Sequence, residues 1–276
     1  MRKQFVAILM MFAGGFLFTN LEAQDFSKQT IQGNAQALRQ QQIQQNDFDE
    51  QIESILKYFS SLVGTGFVHT AALHQIAGFD VGLRGVITVV PDELKNIVPK
   101  GTPNVTDPLT GHNDAIPVPF LHASLGLPGN LEIMGKFFTV SVADKPGSNV
   151  TLLGGALKYG LLQGNIALPA ITLLGGFQTL IVPDEYAFGN VSTFSLKGYI
   201  SKGFTIATVY GGLGLDFTRL KLDIPGFPDL NKTYDVTYPN GVVGLTITPF
   251  PLVRVNADYN FGALKNISLG IGVSLR

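Results

Sequence analysis

The side chains most able to do chemistry are four histidines, His69, His74, His112 and His122. His122 lies two residues before Ser124, so on a strand the two share one face, as a base and a nucleophile could. His69 and His74 are five residues apart, which is poor spacing for one metal ion on a single helix or strand face. No P-loop, zinc-protease, nucleophile-elbow or calcium-loop motif occurs. We predict no catalytic residue, no metal site and no cofactor.

A second group of polar residues is charged and lies opposite the apolar faces of predicted strands. Its members are Asp80, Arg84, Glu132, Lys136, Lys158, Lys197, Arg254 and Asp258. If the strands close into a barrel, all eight side chains face the lumen. Because both signs occur, two interpretations stay open. The charges pair and close a narrow barrel, or they line a path for a small solute.

The strands that would position these residues are indicated by a period of two from residue 78 onward. In the last segment, Ile267, Leu269 and Ile271 alternate with serine and glycine. Further strands are predicted at about 118–127, 131–142, 150–162, 170–182, 190–201, 204–218, 241–249 and 253–261. In 131–142 the apolar positions change phase, which predicts a bulge near residues 135–137. We expect about ten strands, and their length suits a membrane, since spanning strands need about 9–11 residues.

The predicted connections are long at one end of the sheet and tight at the other. Residues 91–117 and 219–240 form long loops, whereas 128–130, 202–203 and 249–251 are tight. Outer-membrane barrels combine short periplasmic turns with longer extracellular loops. Aromatic residues near predicted strand ends, among them Phe120, Phe177 and Tyr199, suggest interfacial girdles.

Composition favours the same class of protein. Only 14% of the residues are charged, the formal net charge is −1, and 32 residues are glycine. A soluble domain usually carries about 25% charged residues. The near-neutral charge gives no basis for nucleic-acid binding. Cysteine is absent, which excludes disulfides and thiolate metal sites.

The N-terminal region divides into three parts before the barrel at 78–276. Residues 1–24 have a basic start and an apolar run, as a cleaved signal peptide does, and 25–46 form a glutamine-rich linker. Residues 47–77 hold an amphipathic helix with a capping pattern at Asp47 and Glu50 and a stop at Gly64, followed by a segment leading to the first strand. The helix either plugs the barrel or lies in the periplasm.

Three stretches, His69 to Asp92, Pro117 to Leu131 and Leu153 to Tyr159, resemble a family of uncharacterised outer-membrane β-barrel proteins of Gram-negative bacteria. The resemblance implies a membrane barrel and is silent on activity. The plan of a helical segment before a barrel is also similar to that of the long-chain fatty acid transporter family.

The sequence therefore predicts an all-β fold, an antiparallel transmembrane β-barrel of about ten strands preceded by a short amphipathic α-helix. We expect a non-enzymatic protein of the cell outer membrane, contacting outer-membrane lipid and the barrel-assembly machinery. Its function is that of a narrow channel or a binder of a small or lipophilic ligand. The alternatives are an interaction protein with partner-binding loops, a lipid-modifying enzyme and a soluble secreted β protein.

Overall fold

The computed structural model describes residues 45–89, 115–141, 149–182, 189–222 and 231–275. They form one helix, α1 (Gln45–Val63), and ten strands. The strands are β1 (Phe79–Val89), β2 (Ala115–Leu127), β3 (Leu131–Ser141), β4 (Asn149–Gln163), β5 (Ala170–Ile181), β6 (Gly189–Gly203), β7 (Ala207–Leu222), β8 (Thr233–Phe250), β9 (Val253–Gly262) and β10 (Asn266–Leu275).

The ten strands form one closed antiparallel barrel. Each strand pairs with the next, and β1 pairs with β10 from Phe79↔Leu275 to Thr88↔Asn266. The predicted all-β, ten-stranded fold is thereby confirmed. Because the strand number is even, β1 begins and β10 ends at the end of the barrel that carries the tight turns. We call this the short-turn end and the opposite one the long-loop end.

Alternation of side chains gives the barrel an apolar exterior. Val255, Leu269 and Ile271 point outward and are 42%, 50% and 56% exposed, while Asn256, Ser268 and Gly270 between them are buried. The same alternation runs through β4 and β5. An apolar outer face over ten strands is typical of barrels that span a membrane.

The predicted bulge in β3 is wrong, because its register is continuous from Leu131↔Tyr159 to Ser141↔Asn149. Phe138 follows Met134 and Lys136 into the interior rather than out to the surface. The apolar residues change phase because the interior itself changes, from polar to apolar, toward the long-loop end. Register shifts occur instead at residues 160–162 and 247–250.

Other boundaries also differ from the sequence prediction. Residues 219–222 and 233–240 of the predicted long loop are strand, because β7 and β8 extend as a paired hairpin. Phe120 and Tyr199, predicted at the membrane interface, are buried in the interior. The predicted signal peptide, His112 and nearly all of the linker and of loop 91–117 lie outside the described residues, although 115–117 belong to β2.

The helix lies inside the barrel, not beside it. It begins two residues before Asp47 and ends at Val63, and Ile52, Leu56 and Phe59 are almost fully buried. Residues 64–78, which we call the plug segment, then continue through the lumen to β1. Among the described residues, no helix has both the length and the apolar character needed to cross a membrane.

Candidate functional site: the plugged lumen

The plug segment runs along the lumen from the long-loop end to the short-turn end, and contacts with β10 fix both limits. Asn266, the first residue of β10, donates from Nδ2 to the Ser61 carbonyl at 3.0 Å. At the other end of the strand, the Ser274 hydroxyl lies 3.1 Å from His74 Nε2. The Ala77 amide then donates to the carbonyl of Gly126, which precedes the β2–β3 turn, at 3.1 Å. The chain therefore traverses the lumen.

Cations of the barrel wall hold this segment by its backbone carbonyls. Arg84 Nη1 donates to Gly66 O at 2.8 Å and to Val68 O at 3.1 Å. Two lysines do the same along the chain: Lys136 binds the carbonyls of Val63 and Thr65, and Lys158 those of Thr70 and Ala72. Each of these cations binds two carbonyls that are two residues apart along the chain.

Neutral and acidic side chains of the wall complete the attachment. Ser201 Oγ accepts from the Ala71 amide at 3.0 Å, and Thr246 Oγ1 donates to His69 O at 2.6 Å. Glu132 Oε2 accepts from the His74 amide at 3.0 Å. Since a backbone group buried without a partner is costly, these bonds make an irregular segment tolerable in the interior.

The structure places all eight charged residues predicted to face the lumen in the barrel interior, none more than 5% exposed. It pairs Arg254 with Asp80, and Lys158 with Glu132 at 3.1 Å. Asp258 accepts from Tyr210 at 2.8 Å and from Asn260 at 2.7 Å. The pairing interpretation describes Asp80 and Arg254, which bind each other. Neither interpretation includes the contacts that the other cations make with the plug backbone.

Asp216 completes the set of interior charges, although the sequence analysis did not include it. Its carboxylate lies 3.0 Å from Lys197 Nζ and accepts from Ser195 at 2.6 Å, while Lys197 also donates to Gly64 O. The sequence nevertheless contains a pattern that indicates an inward-facing side chain at this position. Asp216 lies between Leu215 and Phe217, which both face outward, so the alternation alone places it inside.

Three histidines meet near the short-turn end of the lumen, two from the plug segment and one from β2. The ring centroid of His69 lies 6.4 Å from that of His74 and 6.5 Å from that of His122. His122 Nδ1 is 3.3 Å from Asp80 Oδ1, and His74 Nδ1 is 3.2 Å from Glu132 Oε2. No group of histidine and acidic side chains within the described ranges could hold a metal ion.

Ser124, the candidate nucleophile two residues from His122, is also buried, and its hydroxyl has no hydrogen-bond partner among the described residues. A serine nucleophile needs a base within hydrogen-bond reach. The pair therefore shares a face, as the sequence predicts, but no hydrogen bond joins the two side chains.

The long-loop half of the lumen is apolar. Leu56, Phe59 and Val63 of α1 pack there against wall residues from many strands, including Val86, Val118, Phe138, Leu152, Leu180, Val191 and Leu220. A void of about 10 Å³ remains between Tyr58, Phe59 and Leu152, which is at the lower limit for one water molecule. The helix thus fills this half of the barrel.

Two glycines show how closely the plug and the wall approach. Gly66 has a φ of 81°, and a Cβ there would lie 2.3 Å from the Phe120 ring. In the wall, a Cβ on Gly126 would lie 2.1 Å from the Gln75 carbonyl oxygen. At these two points the plug and the wall are too close for an added Cβ unless the neighbouring groups move.

The chain is similar to one family of proteins. The model of a family described as "Family of unknown function (DUF6588)" matches residues 97–275. No curated protein matches the chain. The likeness to the long-chain fatty acid transporter family is not shown.

Solved structures that resemble the chain include three bacterial proteins. Ail, the attachment invasion locus protein of Yersinia pestis, has 11% identity and a TM-score of 0.27, over 74% of this chain and 99% of that one. The Escherichia coli outer membrane protease OmpT has 10% identity and a TM-score of 0.34, over 71% and 94%. The Ralstonia pickettii toluene transporter TbuX has 10% identity and a TM-score of 0.28, over 78% and 96%. Likeness at this level carries no argument about function.

Proposed function

The chain belongs to the DUF6588 family of unknown function, and from this premise we propose that it is a non-enzymatic outer-membrane barrel acting as a narrow, plug-gated channel. The apolar exterior suits lipid and disfavours the soluble alternative. In the conformation described, α1 and the plug segment close the lumen. Passage of a solute requires the plug segment to move.

One observation carries this proposal, namely that the wall cations bind the plug through backbone carbonyls. Each hydrogen bond to a charged group contributes about 1.5–3 kcal/mol, more than a bond between neutral groups. An oxygen-bearing ligand can replace these carbonyls. When the plug segment moves, Arg84, Lys136 and Lys158 are left facing the lumen without these partners.

The same contacts indicate what kind of solute the channel takes. Cations that bind carbonyl oxygens also bind carboxylate, sulfate or phosphate oxygens, and more strongly, because both partners are then charged. Beyond this charged zone, which also holds the carboxylates of Asp80, Glu132, Asp216 and Asp258, the long-loop half is lined by apolar residues such as Phe138 and Leu152. The solute that fits both zones is a small amphipathic anion.

A disulfide between plug and wall tests the mechanism. Thr70 Oγ1 and Ser201 Oγ are 3.2 Å apart, so cysteines at both positions need only a small shift to reach the S–S distance of about 2.05 Å. The chain contains no other cysteine. The assay measures uptake of hexanesulfonate, a permanently charged amphipathic anion, into liposomes carrying Thr70→Cys/Ser201→Cys protein.

We expect uptake above that of empty liposomes for the wild type and for the reduced double variant, and uptake at the empty-liposome level for the oxidised one. Ser201→Cys alone, treated with the same oxidant, is the matched control and should transport in both states. Equal uptake with the plug locked and unlocked would contradict gating by the plug. Uptake by none of the proteins would contradict the channel itself and favour the interaction-protein alternative.

A further inference from the structure

The direction in which the chain enters the barrel has a consequence for the residues before α1. The plug segment joins β1 at the short-turn end, and α1 lies in the long-loop half with its C-terminal end pointing into the lumen. The N-terminal end of α1 therefore points out of the long-loop mouth. The chain that precedes Gln45 reaches the barrel from that side.

Contacts at successive depths establish this direction. Ser61 accepts from Asn266 at the long-loop end of β10, Gly66 binds Arg84 near the middle of β1, and His74 meets Ser274 at the short-turn end. The order along the chain equals the order along the barrel axis. No reversal of the chain occurs between Ser61 and His74, and α1 is one continuous helix up to Val63.

Exposure along α1 shows which side of the helix meets solvent, since Ile52 and Leu56 beside the exposed pair are buried. Lys57 and Glu53 form an ion pair at 3.2 Å with their side chains 38% and 53% exposed. From Tyr58 to Ala71, in contrast, every residue is buried. A solvated ion pair four residues apart on the helix belongs at a mouth of the barrel, and full burial of the following fourteen residues belongs below it.

We infer that the segment before α1, residues 25–44 once the predicted signal peptide is removed, is displayed on the outer surface of the cell. Short turns of outer-membrane barrels face the periplasm and longer loops face outward. The barrel then anchors and presents a polar, glutamine-rich segment that has passed through its own lumen. This inference rests on the barrel orientation and holds whether or not the plug moves to admit a solute.

Single cysteines test the location, because the native chain has none. A membrane-impermeant maleimide is applied to intact cells carrying Gln36→Cys, with Thr233→Cys at the long-loop end and Thr205→Cys in the β6–β7 turn as matched controls. Both control positions are exposed. Heat-modifiable migration on gels verifies that each variant has folded.

We expect Gln36→Cys and Thr233→Cys to be labelled on intact cells, and Thr205→Cys only after the outer membrane is permeabilised. Trypsin provides a second readout on the wild-type protein, since Lys28 and Arg39 lie in the displayed segment. Cleavage there on intact cells should shorten the protein without loss of the barrel. Labelling of Gln36→Cys only after permeabilisation would overturn the inference, as would protection of Lys28 and Arg39 from trypsin.

Discussion

The ammonium group of Lys197 lies 3.0 Å from the carboxylate of Asp216 on the neighbouring strand, and the two side chains are 3% and 1% exposed. The same nitrogen donates to the Gly64 carbonyl, where α1 gives way to the plug segment. This pair therefore links two strands of the wall to the chain inside the barrel. A charge removed from water is stable only while such partners remain.

Asp216→Asn should destabilise the barrel by about 3–5 kcal/mol, because it leaves the buried Lys197 without its counter-charge. The matched control lies on the same β7–β8 hairpin. Arg219 and Asp235 form an ion pair that is 65% and 59% exposed, so Asp235→Asn should have little effect on stability. Urea unfolding in detergent micelles measures both. Similar losses at 216 and 235 would contradict a buried pair.

Gly66→Ala should loosen the plug. The φ of 81° strains any residue with a Cβ, and the new methyl group meets the Phe120 ring, so we expect a cost above about 1 kcal/mol. Gly85 faces outward with nothing within 4 Å of an added Cβ, and Gly85→Ala should be nearly neutral. Hydrogen exchange of residues 64–72 measures the effect. Unchanged protection in Gly66→Ala would show that the plug is not held at this point.

Leu269→Arg and Val255→Arg place a charge on the lipid face and should each cost about 2–4 kcal/mol near the midplane. Folding yield into vesicles over a urea series provides the measurement. Leu269→Ala is the control and should cost less than Leu269→Arg, because it removes apolar surface from lipid without adding a charge. Equal costs for Leu269→Ala and Leu269→Arg would contradict a lipid-facing position.

Asn256 lies next to Val255 but faces the lumen, where it accepts from Arg254 at 2.6 Å. It is 1% exposed, and its Oδ1 would lie 2.5 Å from a Cβ on Gly270, so its surroundings are closely packed. Asn256→Arg should therefore be destabilising as well, by overpacking and by adding a cation beside Arg254. Thermal loss of heat-modifiable migration would show this. Wild-type behaviour of Asn256→Arg would mean that the lumen is open at this depth.

Phe59→Ala should release α1 while leaving the barrel closed. Phe59 is 3% exposed in the apolar half, and truncating such a residue costs about 3–5 kcal/mol. Because the strands keep all their hydrogen bonds, the loss should appear as faster trypsin cleavage at Lys57 with unchanged heat-modifiable migration. Lys57→Ala removes the cleavage site and serves as the specificity control. Resistance to trypsin in Phe59→Ala would contradict the role of this packing.

The sequence predicted much of the barrel because side chains along a strand alternate between its two faces. The residue types in each strand therefore indicate which face is which. Outward positions such as Leu269 and inward positions such as Arg254 could be assigned from their immediate neighbours. The same rule failed in β3, where Phe138 is apolar and yet faces inward. Alternation separates the two faces of a strand, but it cannot tell which face is inside where both are apolar. This is the case where α1 fills the lumen and makes the inner face apolar as well.

By itself, the sequence determined the class of fold, the number of strands and the strand face from which the side chains of Arg84, Lys136 and Lys158 project. Only the tertiary structure decided what these cations bind. Their partners are backbone carbonyls of residues 63–72, and every residue except proline carries the same amide and carbonyl groups, so no side-chain pattern marks a carbonyl as a ligand. The closed lumen and the direction of the threaded chain follow from contacts between segments far apart in sequence, which local periodicity does not encode.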